Sequence, residues 1–159
     1  MRKSLPFVAA LSLSVIACTQ VQTTRITDMA DLPLKTTTLP AENWKNAPLR
    51  ANAQYVLYGT NTEAERLLRK GDYYFLSWYD AEPQKPVRLE MQYTQALTGA
   101  DVLTRSVEYK EPREEAGSRK EQFFFSGEER AKRGDVMTWK VSLYLDGQLV
   151  DTLQSYLWE

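Results

Sequence analysis

The chain of 159 residues contains no histidine and a single cysteine. The missing histidine removes the Ser-His-Asp and Cys-His forms of nucleophilic catalysis and the commonest zinc ligand. One cysteine cannot make a disulfide framework, which needs an even set. The seven glycines are scattered, and none falls in a GxGxxG or GxxxxGK[ST] spacing, so no phosphate-cradling loop is present. The EF-hand spacing is missing too. No apolar run reaches the roughly 20 residues that a membrane-spanning helix needs. A formal charge of −1 offers no basic surface for a nucleic acid. What remains for catalysis is carboxylates. Glu114-Glu115 and Glu128-Glu129 are sequence neighbours in charged stretches. A carboxylate-dependent hydrolase would instead hold two acids about 5–10 Å apart across a cleft. On these absences the chain is expected not to be an enzyme and to need neither cofactor nor metal.

What is present begins with the first twenty residues. Met1-Arg2-Lys3 is basic, and Leu5 to Ala17 is apolar or small apart from Pro6, Ser12 and Ser14. That is the n-region and h-region of an export signal. The run closes with Val15-Ile16-Ala17-Cys18, which resembles the lipobox of bacterial lipoproteins. The resemblance implies cleavage before Cys18 and a diacylglyceryl group on its sulfur. It also implies a membrane as partner and a place in the cell envelope. Thr19 stands where an aspartate would retain such a protein at the inner membrane, which points to the outer membrane, on its periplasmic or surface face. Loss of residues 1–17 removes two bases and no acid, leaving a side-chain charge of about −3.

Residues 18–53 read as a lipidated N-terminus and a flexible tether. Threonines recur there (19, 23, 24, 27, 36, 37, 38), with prolines at 33, 40 and 48, and no period of 2 or 3.6. Docking onto the domain would bury the short apolar groups at Leu32, Leu34 and Trp44. All the other aromatic residues except Phe7 lie in 54–159, so the core is expected there, in one domain.

Within 54–159, QYVLYG (54–59) reads as a short strand. TEAERLLRKG (62–71) reads as a helix, with a capping box from Thr62 to Glu65 and Gly71 at its end. DYYFLSWYD (72–80) is apolar on both faces, as a buried central strand is. VRLEMQYT (87–94) alternates, with Val87, Leu89, Met91 and Tyr93 on one face. DVLTRSVEY (101–109) alternates with Arg105 as the exception. EQFFFSG (121–127), VMTWKVSLYL (136–145) and QLVDTLQSYLW (148–158) complete the set. Asp146-Gly147 marks a type I′ hairpin between the last two. Seven strands with turns between them predict an all-β antiparallel sandwich with one short helix. The rhythm resembles the immunoglobulin-like and fibronectin type III-like architectures, without the paired cysteines of antibody domains. Trp78 and Trp139 are then expected to face each other in the core. A lipocalin-type barrel enclosing a small molecule or lipid is the alternative architecture.

Alternating connections place loops 80–86 and 111–119 and the 146–147 turn at one end. The 62–71 helix and loops 96–100 and 128–135 fall at the other. KEPREEAGSRKE (110–121) reads as a solvated hairpin loop. Tyr73, Tyr79, Tyr144, Tyr156 and Trp158 are candidates for an outward aromatic surface that binds a protein or glycan; alternatively, the helix or tether covers that face. Arg133-Gly134-Asp135 is the tripeptide of integrin ligands and abuts the strand beginning at Val136. RKGD (69–72) and KRGD (132–135) are similar turns feeding aromatic strands.

Overall fold

The computed structural model describes residues 22–35 and 45–158. The proposed signal segment, Cys18, Thr19 and Trp44 lie outside the described residues. The sandwich has two antiparallel sheets. We number the strands β1 (Arg25–Leu34), β2 (Gly71–Asp80), β3 (Val87–Gln95), β4 (Leu103–Tyr109), β5 (Gly117–Ser126), β6 (Val136–Leu145) and β7 (Gln148–Gln154), and the helices α1 (Ala47–Leu57), α2 (Glu63–Leu68) and α3 (Gly127–Arg133). One sheet has the order β1-β2-β5 and the other β4-β3-β6-β7. The fourth strand pairs with β3 and joins the second sheet, unlike its place in the constant-type immunoglobulin arrangement. The two sheets are separate, so the barrel alternative does not hold.

Among the described residues the strands number seven, as expected, but their membership differs from expectation. Arg25–Leu34, assigned to the tether, is an edge strand paired along its length with β2. Its alternation buries Leu32 and Leu34. In the stretch 54–59, residues 54–57 are the end of a helix and Tyr58 and Gly59 the turn that follows. Asn46 caps the helix, its Oδ1 accepting from the Leu49 amide at 3.1 Å, and Pro48 sits in the first turn. Leu49, Ala53, Val56 and Leu57 then fall on one helical face and pack on Leu32, Leu34, Tyr73 and Phe75. The domain therefore reaches back well beyond residue 54.

The capping box of α2 is as expected. Thr62 Oγ1 accepts from the Glu65 amide, and Glu65 accepts from the Thr62 and Asn61 amides. Those backbone bonds, from Thr62 first, hold the Glu65 carboxyl below its ordinary range. Gly71 does not end this helix. It opens β2, where an added Cβ would lie 2.3 Å from the Phe125 carbonyl oxygen. A third short helix spans Gly127–Arg133, where 128–135 reads as a loop.

The core between the sheets is filled. Leu76, Trp78, Leu89, Met91, Phe123, Phe125, Val141 and Leu143 are fully buried. Trp78 and Trp139 do not face each other: Trp78 packs on Tyr109 and Trp139 on Tyr74. Arg105, the odd residue of β4, extends over the Phe125 ring at 4.7 Å. It donates to the Phe124 carbonyl and, at 2.6 Å, to Glu129. That lateral side of the sandwich is thereby closed.

The loop ends fall as expected. At the first end, the Arg113 amide donates to Pro83 and the Asp146 amide to Pro86. At the second, the Ala96 and Leu97 amides donate to Asp135 and Arg133. Asp146 and Gly147 both have positive φ, as the type I′ turn requires. The segment 110–116 is not a hairpin loop, because β4 and β5 belong to different sheets. It delivers Arg113 inward. The guanidinium donates to fully buried Asp80 at 2.6 and 3.3 Å and to the Lys85 carbonyl at 2.7 Å.

Two outcomes follow. A chain beginning at residue 45 lacks β1 and fails to unfold cooperatively in urea, whereas one beginning at residue 22 does so. Arg113→Ala leaves Asp80 buried without its main cation and lowers stability by about 3–5 kcal/mol, read from the urea midpoint.

Candidate binding face

The outer face of the β1-β2-β5 sheet carries unusually large side chains for a wet surface: Tyr73, Phe75 and Tyr79 on β2 and Phe124 on β5. Helix α1 lies over part of this face and leaves two grooves that meet at Tyr55 and Gln122. One, of about 710 Å³, is lined by Tyr55, Ala51, Asn52, Phe75, Lys120 and Gln122, among others. The second, of about 290 Å³, is lined by Tyr55, Tyr58, Arg69, Tyr73, Phe124 and Ser126, among others. Tyr55 is 68% exposed, Tyr58 86% and Phe124 51%. The Tyr55 ring stands edge-on to Phe75 at 6.5 Å, and Phe124 stacks on Tyr73 at 6.3 Å. The Tyr55 and Phe124 rings thus rest on a half-buried and a buried ring respectively, which restricts their positions.

The five aromatic residues expected to form one surface do not come together. Tyr73 is buried under α1, and its hydroxyl donates to the Arg69 carbonyl at 2.6 Å. Burial pushes its phenol pKa upward. For Tyr73 the helix is indeed the cover. Tyr79 is half-buried on the same face, at the opposite end of β2. Tyr144 lies on the outer face of the other sheet, with the Arg88 guanidinium 3.9 Å from its ring centre. Tyr156 is 99% exposed and Trp158 half-buried, both beyond the end of β7. The exposed aromatics beside the grooves are Tyr55, Tyr58 and Phe124, and the strand reading of 54–59 hides the first two. Asn46, Pro48 and the 49-53-56-57 spacing carry the signal that would have found two of them.

The acidic neighbours diverge. Glu114 and Glu115 are exposed. Glu128 pairs with Lys132 on the α3 surface, and Glu129 pairs with Arg105 and Arg133. Among the described residues no cluster of three or more acidic, histidine or cysteine side chains could hold a metal ion. Also among the described residues, no helix is long and apolar enough to cross a membrane.

On the other lateral side of the sandwich, β1 and β7 leave an open cleft of about 470 Å³ between Ile26, Met29, Trp139 and Leu153. The Ile26 amide donates to Asp151 Oδ2 across it at 2.8 Å. Both strands are bulged there, between Ile26 and Asp28 and opposite the Leu143–Tyr144 step. Bulges of this kind discourage a further strand from pairing with an exposed edge.

No family model matches this chain, and no curated protein matches it. A solved structure described as "Crystal structure of from Akkermansia muciniphila" is similar to it with a TM-score of 0.38 and 12% identity, covering 86% of this chain and 73% of that chain.

Arg133-Gly134-Asp135 is not a loop tip. Arg133 closes α3, Gly134 turns the chain at φ +81°, and Asp135 leads into β6. The Gly134 carbonyl accepts from Gln95 Nε2 at 2.9 Å, and Arg133 pairs with Glu129. Asp135 is held by Arg130 at 2.6 Å and by Lys35. Lys35 also reaches Asp72 at 3.4 Å, and Asp72 accepts from the Val136 amide. The two similar turns, RKGD and KRGD, thus bring their aspartates to one lysine. The hydrogen bond from Lys35 holds the Asp135 carboxyl below the usual aspartate range, against partial desolvation. A depressed folded-state pKa contributes stability above the unfolded value of about 3.9, and the contribution is lost as pH falls through the folded value. Lys35→Ala therefore raises the Asp135 pKa, read by carboxyl NMR titration. The stability gap between wild type and variant narrows below about pH 4.

Proposed function

We propose that this chain is a non-catalytic lipoprotein of the cell envelope, anchored by a diacylglyceryl group on Cys18, whose sandwich binds a protein partner. The anchor is supported by the basic n-region, the apolar h-region and Val15-Ile16-Ala17-Cys18. Two or three acyl chains, at about 0.8 kcal/mol per buried methylene, hold a protein to a bilayer durably. The outer membrane is the proposed location, from Thr19 by resemblance to the sorting rule.

The observation that carries the binding reading is the trio Tyr55, Tyr58 and Phe124, all exposed beside the second groove, with Phe124 stacked on buried Tyr73 and Tyr55 edge-on to Phe75. Rigid aromatic side chains with a polar rim are what protein interfaces use as anchors. Arg69, Gln122 and Ser126 supply that rim.

Two measurements test the reading. Wild type incorporates labelled palmitate and fractionates with membranes, and Cys18→Ser does neither. A photo-crosslinker at Tyr58 gives a discrete product in membranes of the native host. Phe124→Ala abolishes it, and a crosslinker at Lys140, on the other sheet, does not give it. A soluble wild type overturns the anchor. Equal products from positions 58 and 140 overturn the binding face.

A further inference from the structure

The domain begins far closer to Cys18 than a 35-residue tether would allow. Thr24 is buried, and its hydroxyl accepts from the Ala81 amide at 3.0 Å. The next residue, Arg25, is already paired with Tyr79. Six peptide units separate Cys18 from Thr24. Fully extended they span at most about 20 Å, whatever path the chain takes.

Thr24 enters at a defined end of the sandwich. The register of β1 on β2 runs from Arg25 opposite Tyr79 to Leu34 opposite Gly71. Entry is therefore at the end that carries loops 81–86 and 110–116 and the Asp146-Gly147 turn. The ten-residue strands β1 and β2 put the opposite end about 33 Å away.

The two ends differ in chemistry. Acids outnumber bases in the loops at the entry end. It therefore has no cationic surplus to draw it to an anionic bilayer. The far end exposes Leu67, Leu68, Leu97, Val102 and Met137. Burial of apolar area alone would put the far end on lipid. That placement would lift Thr24 some 33 Å from the bilayer, beyond the reach of about 20 Å.

Resting on the lipid anchor proposed above, we infer that the bilayer surface is the partner of the entry end. The short leash, rather than attraction, holds loops 81–86 and 110–116 and the 146–147 turn against it. The apolar far end, with α2 and α3, points away and is free for other proteins.

The test uses the full lipidated chain in phosphatidylethanolamine–phosphatidylglycerol vesicles that carry an acceptor dye on the headgroups. Cys18 is the sole native cysteine and is consumed as a thioether, so one donor dye can be placed at Glu115→Cys, at the entry end, or at Lys132→Cys, at the far end. Both positions are exposed, and urea unfolding checks that each variant keeps the fold. With the ends about 33 Å apart, transfer from position 115 exceeds that from position 132 by at least about twofold. Twenty Gly/Ser residues inserted between Cys18 and Gln22 add about 25 Å of average reach and shrink the difference. Equal transfer from both positions in vesicle-bound protein, or stronger transfer from 132, overturns the orientation and leaves the anchor standing. Failure of the native chain to partition into vesicles overturns the anchor, and the orientation with it.

Discussion

Strand β2 has two apolar faces, and most of the fold answers that constraint. Tyr74, Leu76 and Trp78 point toward the second sheet, and Tyr73 and Phe75 point the other way. A strand of a two-layer sandwich ordinarily leaves its outer side to water. Here the outer side must be covered as well. Helix α1 supplies the cover by setting Ala53 and Val56 on Tyr73, Leu32 and Leu34. The cover is narrower than the sheet, and its margins are where the exposed aromatic rings lie. The candidate binding face is thus a by-product of the way the sheet is roofed.

Each end of β2 also carries a buried aspartate, Asp72 at its start and Asp80 at its close. Asp72 meets Lys35 and the Val136 amide, and Asp80 meets Arg113. A slip of one residue would exchange every inward and outward side chain and separate both carboxylates from their cations. These pairs add specificity where the apolar pattern alone, being similar on both faces, would leave the register of β2 weakly determined.

Period and turn chemistry made much of this architecture legible. The alternation in β3, the Asp-Gly turn, the Thr62 capping box and the doubly apolar β2 all appear in the sequence and in the fold. β1 was hidden because Asp, Ala and Pro in RITDMADLPL have low strand propensity, and only its pairing with β2 makes it a strand. α1 was hidden because Tyr55, Val56 and Tyr58 favour strands. The helical state of Tyr55 and Val56 depends on the Asn46 cap and on the apolar sheet beneath. The aromatic trio was therefore illegible for a physical reason. Which ring of a buried or exposed pair faces water is decided by packing between elements distant in sequence, as Tyr73 and Phe124 show.

The way β1 is attached has a mechanical meaning. It enters at one end of the sandwich and runs the full length of β2 as an edge strand. A pull on the chain ahead of Thr24, resisted at the far end, loads the rungs of the β1–β2 ladder together, in shear. The same pull resisted at the entry end would open them one at a time. Forced unfolding is governed by the barrier along the direction of load. A sandwich anchored at Thr24 and gripped at α2 or α3 therefore meets tension along its stiff axis, with the buried Thr24 and Asp80 contacts at the point where force enters.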